Sequence, residues 1–171
     1  MPGDARQPSE RAGGLSAGRR AILLLLILLL ACALRAYRLD GQSLWADEGN
    51  SAALAGRPFA VIAGDAAGDI HPPLYYFCLR LWTLLCGTSE AGLRSLSLAW
   101  GLLLIVAVYA LGQRAGGPAL GLVGALLAAA SPFGVYYSQE ARMYMMAAAL
   151  AGVAGWAAWR LAEAGPAPRV A

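Results

Sequence analysis

The sequence predicts an all-α membrane protein, with about four transmembrane helices and interfacial helices in a long first external loop. Three observations carry this. The 171 residues are 59% hydrophobic and only 13% charged, against about 25% charged in an ordinary soluble domain. Four apolar stretches approach the ~20 residues needed to cross hydrocarbon. Basic or acidic residues flank each stretch rather than interrupt it.

The first stretch follows a polar tail, Met1 to Gly18, whose Gly, Pro, Ala and Arg content reads as disordered. Arg19 and Arg20 then abut Ala21 to Leu34, which is almost all Leu and Ile. Ala31-Cys32-Ala33 resembles a signal-peptide cleavage site, but the apolar stretches that follow favour a membrane helix over about 20–37. Arg35 and Arg38 are expected to snorkel to water at its end. The Arg pair ahead of it places the N-terminus in the cytoplasm of a multi-pass plasma-membrane protein. The remaining spans are expected over about 95–113, 118–137 and 143–161, with a cytoplasmic tail over 163–171. Pro118 stands near a helix start, where it is tolerated. Gly117/Gly121 and Gly152/Gly155 read as close helix packing.

Pro73 to Gly87 is apolar but only about 15 residues long, and it carries Arg80. Runs of that length are more often interfacial than spanning. On a helix Tyr76, Arg80, Thr83 and Gly87 form a narrow polar stripe, as in a helix lying in the membrane surface. With this segment not spanning, residues 38–94 are one external loop. Arg114, Arg160 and Arg169 then fall inside, as the positive-inside rule expects.

The small net charge of +3 comes from scattered Arg residues. That excludes a nucleic-acid footprint, which needs a basic patch. Cys32, Cys78 and Cys86 have no metal-ligand spacing, and their odd number argues against a disulfide framework. Cys32 reads as a small buried hydrophobe.

Three segments carry candidate chemistry. Asp47 and Glu48 form an acidic pair just beyond the first span, with Ser43 as expected N-cap and Trp45 as interface anchor. Acids also simply decorate helix starts. His71 precedes Pro72-Pro73 at a helix start, where its imidazole is able to bind a metal or phosphate; the plainer reading is a surface histidine. Glu140 and Arg142 interrupt apolar sequence between two spans, where charges are costly; the plainer reading is a solvated ion pair. The topology puts all five on one side of the membrane. A carboxylate there is able to act as general base, and Arg, or a cation held by carboxylate or His, to bind a lipid-linked phosphate.

These segments resemble the polytopic GT-C glycosyltransferases, in particular the bacterial protein-mannosyltransferase and aminoarabinose-transferase (glycosyltransferase family 39-like) group. The resemblance rests on Arg38-Leu39-Asp40 leading to Ser43-Leu44-Trp45-Ala46-Asp47-Glu48, and on His71-Pro72-Pro73-Leu74-Tyr75-Tyr76. It continues through Arg94-Ser95-Leu96-Ser97 and Tyr136-Tyr137-Ser138-Gln139-Glu140-Ala141-Arg142-Met143-Tyr144. It implies an inverting transfer of sugar from a polyprenyl-phosphate donor to a protein, lipid or glycan acceptor on the external face. By the same resemblance Asp47 is the catalytic base and Glu48 its partner. His71, Glu140 and Arg142 face the donor phosphate, and Glu140 and His71 are the candidates for a divalent metal. Relatives of that kind usually have more membrane helices, so the chain is expected to be an N-terminal fragment or an inert truncated module. A transporter is disfavoured because the central spans are nearly pure Ala, Leu, Gly and Val.

Overall fold

The computed structural model describes residues 15–67 and 72–165, and every regular element among them is a helix. The expected tail over residues 1–14, His71 and the C-terminal residues 166–171 lie outside the described residues.

Helix α1 (Ala17–Ala36) starts at Ser16, whose hydroxyl accepts from the Arg19 N–H at 3.3 Å. Its 20 residues span about 30 Å, the thickness of the hydrocarbon layer. Leu25 and Leu29 point outward, 56% and 57% exposed, as a lipid-facing surface requires. Helices α2 (Ala46–Ala55), α3 (Phe59–Ala67) and α4 (Leu74–Cys86) follow in the long loop.

Helix α5 (Glu90–Ala130) is a hairpin rather than a rod. Gly116 (φ −154°) and Gly117 (φ +87°) leave helical geometry, and Pro118 restarts it. A Cβ at Gly121 would stand 2.7 Å from the Tyr109 carbonyl oxygen, and one at Gly124 would stand 3.2 Å from Val108. The chain after Gly117 therefore runs back along the chain before it. Gly121 permits the close crossing, as the packing reading expects, whereas Gly117 makes the turn, which corrects that reading for Gly117 alone. Gly152 does pack closely, with Ala107 Cβ 3.1 Å from the position of a Cβ there.

Ser131 and Pro132 end the returning leg. Pro132 has no N–H to extend the ladder. The chain restarts as α6 (Pro132–Ser138), with the Ser131 hydroxyl accepting from the Gly134 N–H. Where one span was expected over 118–137, the structure has two helices. The last helix, α7 (Tyr144–Ala164), packs on α5. Among the described residues three helices, α1, α5 and α7, are long and apolar enough to cross a membrane, the second folded on itself.

Arg35 explains how the broken leg is tolerated. Instead of snorkelling, it turns inward and is 1% exposed. It donates to the carbonyls of Ala129 (2.9 Å), Ala128 (3.1 Å) and Ala31 (3.2 Å), and to the Ser138 hydroxyl (3.1 Å). Carbonyls at a helix end need donors, and lipid has none to offer. Gln139 treats α1 in the same way, donating to the carbonyls of Arg35 and Tyr37. Gly101 makes room for this junction: a Cβ there would fall inside contact distance of Ser138 Oγ and 3.1 Å from Arg35 Nε. Gly101→Ala is expected to cost about 1–3 kcal/mol through overpacking, read as a lower melting temperature in detergent.

At 13 residues, α4 is about 20 Å long and too short to span. Its polar stripe runs from buried Tyr76 through half-buried Arg80 and Thr83 to exposed Gly87. Tyr76 is buried, and Arg80 donates to the Ala55 carbonyl at 3.3 Å and stacks over Phe59. Leu81, Leu84 and Leu85 are the outward residues, 54–82% exposed. The stripe thus binds α4 to α2 and α3, and its leucines are left for the bilayer.

Two ends of the bundle are distinct. Arg114, near the hairpin turn, pairs with Glu163 near the end of α7, and Trp159 donates to the same carboxylate. Loops and short helices gather at the other end, over a core of Ala55, Ile62, Tyr75, Leu79, Leu93, Leu96 and Met146.

Candidate active site

The site is built at the loop end, where the start of α2, the start of α5 and the connection between α6 and α7 meet. The helix start is not capped by Ser43. Trp45 occupies the N-cap and offers no side-chain bond. The Glu48 carboxylate takes that place by accepting from the Trp45 N–H at 3.4 Å, the acidic half of a capping box.

Glu48 is fully buried. Its two oxygens meet Arg94 side by side, Oε1 accepting from Nε at 2.8 Å and Oε2 from Nη2 at 2.7 Å. Oε1 also accepts from the Ala141 N–H at 2.8 Å. Arg94 spends its remaining donors on the carbonyls of Leu39 (2.9 Å), Gln42 (2.8 Å) and Ser43 (3.4 Å). Burial alone would push the Glu48 carboxyl up. The bonds from Arg94 and the backbone N–H groups outweigh it and hold the carboxyl below its ordinary value. The pair therefore ties three remote segments together, and every lone pair that the geometry can reach is in use. This is the arrangement of a structural pin.

That pin aims Asp47 and Arg142. Asp47 lies in the first turn of α2 with its side chain 43% exposed. Arg142 is 5% exposed. It sits 3.5 Å from Asp47 Oδ2 through Nη2, 3.4 Å from the Asp47 carbonyl through Nη1, and over the Tyr144 ring. The Arg142 backbone is fixed at both ends: its N–H donates to the Glu140 carbonyl at 2.8 Å, and its carbonyl accepts from the Ser97 hydroxyl at 3.1 Å. Of the two acidic neighbours, only Asp47 presents a carboxylate to solvent. Tyr75, 1% exposed beside this cluster, has its phenol pushed well above the ordinary range by burial. It stays protonated, so it is not a base here.

Glu140 stands apart from the Asp47–Arg142 pair. It is 8% exposed and lines a cavity of about 770 Å³ between the end of α1, the start of α2 and α6. Neither Asp47 nor Arg142 lines that cavity, while Glu48 and Arg94 form part of its wall.

Four of the five expected site residues are therefore at one end of the bundle, and His71 lies outside the described residues. Among the described residues no group of three or more His, Cys, Asp or Glu gathers as a metal would require. Arg94 and Arg35 were not singled out as functional residues. The signal was present, since Arg beside or within an apolar span marks a site by default, but their partners lie 46 to 103 residues away.

The shifted Glu48 pKa has a stability consequence. Its folded value lies below the unfolded value of about 4.3. The stabilisation is therefore complete above that pH and is lost as pH falls below it toward the folded value. A melting curve in detergent should hold steady from pH 7 to 5 and drop below about pH 4. In Glu48→Gln the part of that drop owed to this carboxyl is expected to disappear.

A comparison with known protein families matches residues 70–166 to the dolichyl-phosphate-mannose-protein mannosyltransferase family. The matched region includes Arg94, Glu140 and Arg142, while Asp47 and Glu48 precede it. Neither the search of curated proteins nor that of solved structures finds a match. The match covers more than half of the chain, and its helical membrane character fits the bundle described above: the protein belongs to the dolichyl-phosphate-mannose-protein mannosyltransferase family of membrane glycosyltransferases.

Proposed function

We propose that the loop end of this bundle is the catalytic face of a transferase that moves a sugar from a polyprenyl-phosphate carrier to an acceptor on the external face of the membrane. The observation that carries this is the contrast between two adjacent acids. Glu48 is buried and consumed by Arg94, whereas Asp47 beside it is half-open and faces a buried Arg142.

In this reading Asp47 takes the proton of the acceptor O–H or N–H as general base. The acceptor atom bonds to the anomeric carbon as the bond from that carbon to the phosphate oxygen breaks. Attack from the face opposite the leaving group inverts the anomeric centre. The polyprenyl phosphate leaves with the electron pair, and Arg142 stabilises its charge through two-donor contact. In the free protein Arg142 rests against Asp47; an arriving phosphate competes for it and releases the base. Glu48 is a positioning residue, not a second base.

The test is transfer of radiolabelled mannose from polyprenyl-phosphate mannose in membranes containing the protein. Wild type transfers label to endogenous acceptor, and Asp47→Asn does not. Wild-type transfer by Asp47→Asn would sink the assignment of the base.

A further inference from the structure

Helix α1 carries charge and apolar surface on one stripe. Arg19, Leu23, Leu26 and Leu30 stand at i, i+4, i+7 and i+11, the spacing of a single helix face. The three leucines form one wall of an open groove of about 380 Å³. The returning leg of α5 forms the other wall, through Leu122, Val123 and Leu126. Every residue lining the groove is Leu, Ile or Val. Leu26 and Val123 are both 54% exposed, so no element among the described residues covers it.

We infer that this groove and the Arg19–Arg20 pair bind an anionic phospholipid of the bilayer, with an acyl chain in the groove and the phosphate on the guanidinium groups. The placement follows from the helices. Arg35, at the far end of α1, holds the Ala128 and Ala129 carbonyls, while Leu23 meets Leu122 and Val123. The two helices therefore run in the same direction, and Arg19 stands at the end where the α5 hairpin turns. From Arg19 to Leu30 is about 16 Å of helix, so the Arg pair reaches the headgroup layer when the leucines lie in hydrocarbon. Each Cα–Cβ bond tilts toward the helix N-terminus. Both guanidinium groups thus lean out of the span while their stems cover it. Paired N–H donors in a planar fork match a phosphate.

Charge selects an anionic lipid over a zwitterionic one. Among the described residues neither Arg19 nor Arg20 has an ion-pair partner. Glu163, the acid near this end, is held by Arg114 and Trp159. The Trp156 ring, which otherwise offers a face to a choline cation, already carries Arg114 and Arg160. Each basic residue beside an anionic headgroup is worth roughly fivefold in binding, about 25-fold for two. The site lies at the end of the bundle away from Asp47 and Arg142, so the inference stands or falls apart from the transferase reading.

Native mass spectrometry of the full chain in detergent tests this. The probes are dioleoyl phosphatidylglycerol and dioleoyl phosphatidylcholine, which share their chains, and glycerol phosphate, which has none. Phosphatidylglycerol is expected to bind about tenfold or more tightly than phosphatidylcholine, and glycerol phosphate not measurably. Arg19→Gln/Arg20→Gln should bring the two lipids within about twofold of one another. Leu26→Trp fills the groove from an exposed position, leaves the core intact, and should weaken phosphatidylglycerol severalfold. Arg160→Gln removes a charge outside the groove and should leave the preference unchanged. Equal affinity for the two lipids in wild type would overturn the proposal. So would a preference that survives the double Arg variant, or one that Arg160→Gln abolishes as fully. Polyprenyl phosphate binding more tightly than phosphatidylglycerol, and lost in the same variants, would give the groove to the donor's carrier instead. A dimer that Leu26→Trp separates would give it to a second copy of the chain, and either result overturns the assignment to a bilayer lipid.

Discussion

Asp47→Asn should reduce sugar transfer by about 100-fold or more while the protein inserts and melts like wild type. The size follows from what a positioned base contributes to a proton transfer, roughly 10²–10⁴ in rate. The intact fold follows from the geometry. The Asp47 side chain is 43% exposed, its ion pair with Arg142 is 3.5 Å long, and its backbone carbonyl rather than its carboxylate bonds Ser51. Asparagine keeps the shape and an acceptor oxygen but cannot take a proton. Quantitative immunoblotting of membranes and a detergent melting curve separate loss of chemistry from loss of protein. An equal fall in transfer and in folded protein would assign Asp47 a structural role.

Breaking the pin next door should have the opposite signature. Arg94→Met leaves the Glu48 carboxylate buried without its cation, and Glu48→Ala leaves the guanidinium stranded. Removing one partner of a buried pair costs about 3–5 kcal/mol, a large share of the stability of a protein this size. Three carbonyls, of Leu39, Gln42 and Ser43, lose their donor with Arg94, so Arg94→Met is expected to be the more damaging. Both variants should melt earlier and lose transfer in step with folded protein. The double variant Glu48→Leu/Arg94→Met should recover part of the stability, since an apolar pair of similar volume carries no desolvation cost. Its transfer should remain low, because the Ala141 N–H has lost the acceptor that holds the Arg142 segment. Recovery of both stability and transfer would show that the pin does not position the site.

The membrane class was legible because composition and span length are local properties of the chain. The acidic pair at a helix start was legible for the same reason. Which of Asp47 and Glu48 stays open to solvent was not legible from the residues themselves, although the resemblance singled out Asp47. The choice depends on Arg94, 46 residues away, and on which way the first turn of α2 faces once packed. The same limit hid Arg35. Its position near the end of an apolar run reads as snorkelling, yet carbonyls 93 and 94 residues away capture it. The α4 stripe was visible in the sequence, but the partners of its Arg80, a carbonyl of α2 and a ring of α3, were not. Gly117 shows the converse. Glycines at helical spacing look alike in sequence, and only the φ of +87° distinguishes the one that turns the chain.

The account depends on Asp47, Glu140 and Arg142 sharing one face of the membrane while the α5 turn lies on the other. Paired cysteine labelling in sealed vesicles tests this most directly. With Cys32, Cys78 and Cys86 replaced, Asn50→Cys reports the loop end and Ala115→Cys reports the hairpin turn; both native residues are exposed. Ser138 is fully buried and unsuited to the purpose. A membrane-impermeant maleimide should label Asn50→Cys from the external side, and Ala115→Cys only after permeabilisation. Labelling of both from one side, or of Asn50→Cys only from the cytoplasm, would contradict an external transfer site.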